Sequence, residues 1–188
     1  MNQTKKRKST VSIVALVEGG LIVALAYALS WAKLELPLWY QSGSVNLVML
    51  PLVVYAVRRG VVPGVIAGLA LGTIKFFFAG GFAIGWQSIL LDYTLAYAAI
   101  GLAGLCMKSG QGFGSGAVVG GLARFAIHYI SGVTIYAIYM PDAFMGINMT
   151  SPFIYSALYN GAYMLPNIVL AAAIGFAIQK PMSRIPIN

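Results

Sequence analysis

Residues 113–139 read FGSGAVVGGLARFAIHYISGVTIYAIY. This run carries one formal charge, Arg124, and the chain's single histidine, His128, one helical turn later. A helix crossing a bilayer needs ~20 mainly apolar residues. The run is therefore a membrane span, long enough to tilt or to project past the hydrocarbon. The rest of the chain has the same character: 60% of its 188 residues are hydrophobic and 9% are charged. A water-soluble surface of this size needs far more charge. No stretch is long and polar enough for a separate soluble domain. The expectation is one membrane domain over 1–188, with 1–10 as a basic cytoplasmic tail.

Six apolar segments can be marked: about 11–32, 45–57, 60–78, 86–107, 113–139 and 152–178. The second is short and reads as tilted or only partly spanning. Barrel strands would give ten-residue alternations instead of these continuous runs. The start, KKRKSTVSIVALVEGGLIVALAYALSWA, resembles a secretory signal. Its apolar region is longer than 7–15 residues and contains Glu18, so it reads as a retained first helix.

The net charge of +8 does not point to nucleic acid, because the positive residues fall at span ends. Lys5, Lys6, Arg7, Lys8, Arg58, Arg59, Lys108, Lys180 and Arg184 lie on one side. The other side holds Lys33, with Lys75 near a span end. Cytoplasmic loops are the positive ones, so both termini face the cytoplasm and the number of spans is even. The expected fold is all-α, a six-helix bundle in a bacterial plasma membrane.

Cys106 is the only cysteine, which excludes an internal disulfide and a cysteine-rich metal site. No GxxxxGK[ST] loop occurs, so the chain has no recognisable ATPase of its own. Uphill transport would draw on an ion gradient or a partner. Small residues at four-residue spacing mark close helix contacts: Gly64, Gly68 and Gly72, then Gly112, Gly116 and Gly120, which read as internal packing. Gly20 and Ala24 form a smaller pair on the first helix, open to internal packing or to docking against another membrane subunit.

Ionisable residues in hydrocarbon are costly and mark function by default. Glu18 lies within reach of Arg58 or Arg59 and reads as half of a structural ion pair. The others share a depth: Asp92 begins the fourth span, Tyr155 and Asn160 begin the sixth, and His128 and Tyr136 lie late in the fifth. Arg124 is one turn deeper, and Asn46 begins the second span. Taken singly, an Asp92–Arg124 salt bridge and a satisfied core histidine account for each. Their shared depth points instead to one cavity in the outer half of the membrane. Its carboxylate suits a cation, its rings suit stacking on a flat ligand, and its asparagines suit a heteroaromatic edge.

Five stretches, GSVNLVMLP (43–51), RRG (58–60), LLDYTLAYAAIG (90–101), ARFAIHYISG (123–132) and YSALYNGAYMLPN (155–167), resemble in order the thiamine-specific substrate-binding component, or S-component, of energy-coupling factor vitamin transporters. The resemblance implies a six-helix bundle that binds thiamine from outside. It also implies a transmembrane coupling subunit and two cytoplasmic ATPases as partners, with Gly20 and Ala24 on the docking face. Residue by residue, it implies a site of Asp92, Tyr93, His128, Tyr155 and Asn160. Arg124 stands where some members have lysine, Tyr136 where some have tryptophan, and Asn46 where some have a second glutamate. Asp92 would then be the main anionic partner of the thiazolium, with Arg124 either orienting Asp92 through an ion pair or keeping His128 neutral by like-charge repulsion. Thiamine is the ligand; no cofactor or metal is implied.

Two other classes are weighed. A serine hydrolase would need a serine beside His128, yet Ser115 lies thirteen residues away, roughly 20 Å along a helix. Ser131 is nearer but has no accompanying motif, and no HExxH pair occurs, so no enzyme is expected. A channel would line the full membrane depth with polar residues, whereas these gather at one end. An S-component for another vitamin or a thiamine precursor stays as the alternative within the family.

Overall fold

The computed structural model describes residues 12–34, 43–78, 83–108, 112–182 and 184–185. The basic tail and Trp39 lie outside the described residues. The described chain is mostly helical. Helix α1 spans Ile13–Leu29, opened by Ser12, whose hydroxyl accepts the Ala15 N–H. Helix α2 spans Met49–Arg59 and α3 spans Val61–Phe78. Helix α4 spans Trp86–Met107, α5 Gly112–Thr134 and α6 Pro152–Met182. By length and composition α3, α4, α5 and α6 can each cross a bilayer. Their outward side chains are apolar (Phe77, Leu105, Leu122 and Val169 among them), as lipid contact requires.

Two short antiparallel ladders complete the fold. Strand β1 (Lys33–Leu34) pairs with β2 (Val45–Asn46), and β3 (Ala143–Phe144) pairs with β4 (Ile147–Asn148). Met145 and Gly146, both at positive φ, turn the second hairpin tightly. Below, the upper end is the one at which α4 begins and α5 finishes.

At the lower end, α2 is the centre. Met49, Leu52, Val53 and Ala56 are wholly enclosed, and the Tyr55 hydroxyl donates to the Ala15 carbonyl at 2.7 Å. The Glu18 carboxylate pairs with Arg59 and lies 3.9 Å from Arg58, the structural pair expected of it. Eleven residues of helix reach only about 16 Å, half of a ~30 Å hydrocarbon core. With Arg58 and Arg59 fixed at the lower end, α2 therefore begins deep inside the bundle, and residues 43–48 descend to meet it.

The glycine triples pack inward. A Cβ on Gly68 would strike the Tyr97 carbonyl, and one on Gly72 the Tyr93 carbonyl, so α3 and α4 touch backbone to backbone. Gly120 brings α5 against the Ile100 carbonyl of α4, while Gly112 and Gly116 leave room for the Val57 side chain of α2. Gly20 has open space where a Cβ would stand, and Gly20 and Ala24 are exposed.

Helix α4 is not a regular α-helix. Ile89–Leu95 is wound as a π-helix and Ile100–Lys108 as a 3₁₀-helix, joined by an α-turn at Ala96–Ala99. A π-turn widens the helix and often lies at a functional site. Asp92 is in the middle of this one.

Candidate functional site

The π-turn directs Asp92 towards α5. Its Oδ1 lies 3.4 Å from His128 Nδ1, and its Oδ2 accepts the Ser88 hydroxyl at 2.9 Å. Ser88 Oγ is also 2.7 Å from the hydroxyl of Tyr136, which ties the 3₁₀ turn Tyr136–Tyr139 that follows α5 to the start of α4. Ser131, one turn above His128, has its hydroxyl beside Asp92 but within bonding geometry of nothing.

Helix α6 closes the third side. Asn160 Nδ2 donates to the His128 carbonyl at 3.3 Å and to the Ser156 carbonyl at 3.0 Å, while its Oδ1 accepts the Tyr163 hydroxyl at 2.9 Å. The Tyr163 ring lies edge-on to His128, 6.3 Å between centroids. Above it Tyr163, Tyr159 and Tyr155 follow at i, i+4 spacing with centroids 5.7–6.0 Å apart, and Phe144 of the β3–β4 hairpin caps Tyr155 at 5.6 Å. The structure thus brings Asp92, His128, Tyr136 and Asn160 into one cluster, joined through Ser88 and the His128 carbonyl.

Three expectations need adjusting. Arg124 does not pair with Asp92: His128 holds that position. One turn lower on α5, the Arg124 guanidinium meets Tyr97, five residues past Asp92, and lies over its ring at 4.4 Å. Its buried Nε has no hydrogen-bond partner. Asn46 sits lower than the other polar residues because α2 begins so deep. Its Oδ1 accepts the Val48 N–H, its Nδ2 donates to Ser44, and its backbone N–H donates to Asn167 Oδ1, two turns below Asn160. Tyr155 looks to the hairpin, and Tyr93 puts its ring edge on Phe76 of α3 at 5.4 Å.

Sequence reasoning missed Ser88, Tyr97, Tyr163 and Asn167, and weighed Ser131 only as a nucleophile. Ser88 had one available signal, its i−4 spacing to Asp92 on an apolar helix. Asn167 anchors the descending segment, donating to the Ser44 carbonyl at 2.9 Å, and Gly43 leaves room for the Tyr163 ring, which is 2.6 Å from where its Cβ would be.

Buried polar atoms are nearly always partnered in native proteins. Here Arg124 Nε, His128 Nε2 and Ser131 Oγ, at i, i+4 and i+7 on one face of α5, are all buried and unpartnered. A polar guest that bonds to such a stripe recovers the desolvation cost of each atom.

Fold and cluster together define a helical integral membrane protein with a polar cluster inside its bundle. The sequence matches the family described as Thiamine transporter protein (Thia_YuaJ) over residues 16–186, and the chain belongs to that family. It is 31% identical to thiamine transporter ThiT of Bacillus subtilis (strain 168) over 187 residues, covering 93% of this chain and 91% of that one. It is 29% identical to thiamine transporter ThiT of Lacticaseibacillus paracasei over 185 residues, covering 86% and 85%. A solved structure of ThiT from Listeria monocytogenes superposes with a TM-score of 0.78 at 25% identity, covering 92% of this chain and 96% of that one.

Proposed function

We propose that this chain is the thiamine-binding S-component of an energy-coupling factor transporter in the bacterial plasma membrane. In this reading six helices span the bilayer, both termini are cytoplasmic and the upper end faces outward. Membership of a thiamine transporter family supports the cargo, and the distribution of Lys and Arg supports the orientation. The observation that carries the site is the partly buried Asp92 carboxylate, held between Ser88 and His128 beside a face of unpartnered polar atoms.

Asp92 balances the charge of the thiazolium. His128 donates from Nδ1 to Asp92, which leaves Nε2 for the ligand. Asn160 and Tyr163 present polar edges at the same depth, and Tyr136 and Tyr155 flank the approach from outside. Asn46 acts on the ligand indirectly, by holding the start of α2. The chain transports without chemical turnover and needs no cofactor. A transmembrane coupling subunit docks on the exposed α1 face at Gly20 and Ala24, and two ATPases supply the energy.

Purified protein titrated with thiamine tests the reading through the fluorescence of Trp86, two residues before Ser88 in sequence. Tight, saturable quenching is expected. Asp92→Asn and His128→Ala each weaken binding at least tenfold, about 1.4 kcal/mol. Unchanged affinity in both folded variants overturns the site.

A further inference from the structure

Both oxygens of Asp92 are engaged before any ligand arrives, one by His128 and the other by Ser88. Ser88 is completely buried, and its Oγ lies within hydrogen-bond distance of both Asp92 and Tyr136. A serine hydroxyl has one proton to give and lone pairs to accept with. An ionised carboxylate only accepts, so Ser88 must donate to Asp92, and the second contact must be Tyr136 donating to Ser88. The direction of the whole chain is therefore fixed: Tyr136 O–H to Ser88 Oγ, Ser88 O–H to Asp92 Oδ2. Hydrogen bonds in series polarise and strengthen one another in a low-dielectric interior.

Resting on the thiamine reading above, we propose that Ser88 is a positioning residue that sets the aim of Asp92 and couples it to Tyr136. Ser88 touches no ligand itself. It stands on the last α-helical turn before the π-turn, so its hydroxyl is fixed in place while the wider turn carries the carboxylate. Swinging Asp92 away from α5 would break the bond to Ser88 and release Tyr136. The anionic group and one outer aromatic group of the site thus move together or not at all.

Two ligands and three variants test this: thiamine and an uncharged analogue that keeps the aminopyrimidine ring but replaces the thiazolium with a neutral ring. Ser88→Ala weakens thiamine binding about tenfold, in line with loss of a bond to a charged group. It changes analogue binding less than about twofold, because its effect runs through the charge of Asp92. Tyr136→Phe shows the same selectivity. The Ser88→Ala, Tyr136→Phe double variant is no weaker than the worse single one, since both cut one chain. Loss of both ligands alike, unchanged thiamine affinity in Ser88→Ala, or multiplied losses in the double variant each overturn the proposal. If Ser88→Ala does not fold, the selectivity of Tyr136→Phe decides by the same criterion. Wild-type protein that binds no thiamine overturns the thiamine reading and this inference with it. Wild-type binding with a silent Ser88→Ala overturns this inference alone.

Discussion

The lower and upper halves of the bundle are joined by opposite means. Below, helices meet backbone to backbone along glycine faces, and the side chains between them are small or apolar. Above, α3 still touches α4 at Gly72 and α5 touches α6 at Gly132, but Asp92, His128, Asn160 and three tyrosines fill the space between α4, α5 and α6 and meet through hydrogen bonds and ring edges. In lipid there is little hydrophobic drive for helices to associate, so close packing must supply the cohesion. The lower seam does so, and this lets the upper half keep buried polar atoms without partners. Backbone packing dominates one depth of these helices and polar side-chain contact the other.

The largest expected effect comes from disturbing the seam. Gly68→Ala places a methyl against the Tyr97 carbonyl, where backbone has no room to yield, and should cost about 3 kcal/mol, read as a lowered Tm in detergent. Equal Tm would mean that the halves are not held differently. Next in size, Asp92→Asn should lose about 1.4 kcal/mol or more of thiamine affinity while its Tm holds or rises, because a partly buried charge has been removed. A matching fall in Tm would make Asp92 a structural residue like those below. Glu18→Gln removes a partly exposed ion pair at the far end and should cost at most about 1 kcal/mol of stability, with thiamine affinity unaltered. Smallest for the isolated chain is Gly20→Leu, where nothing stands near the new side chain: Tm and thiamine affinity stay the same, and co-purification with the proposed coupling subunit is lost. Retained co-purification would move the docking face elsewhere.

The long apolar helices were plain in the sequence, since a run such as 86–107 needs no periodicity to be recognised. How α4 winds was not plain, because a uniformly apolar stretch carries no phase from which a π-turn or a 3₁₀ segment could be read. The depth of α2 follows from its length, but only once Arg58 and Arg59 fix its lower end; counted from Asn46 alone, the span begins too high. Of the site, the rare residues showed themselves: one histidine and one carboxylate in hydrocarbon are conspicuous. Ser88 and Ser131 were not, because serine is common in membrane helices and only its neighbours in space give it meaning. The pairing of Asp92 with His128 rather than Arg124 needed rotation about the helix axis as well as depth.

The π-winding of Ile89–Leu95 amounts to spare length inside α4. Each residue of a helix turns its successor by about 100°. Deleting one residue between Asp92 and Tyr97 would return the segment to ordinary winding without shortening the hydrophobic run below what a bilayer needs. Asp92 would then be turned about a quarter of a circle away from His128, and Tyr93 with it, while the Gly68–Tyr97 contact lower in the seam stayed in register. One surplus residue is thus the gear that lets the carboxylate face one neighbouring helix while the seam faces another.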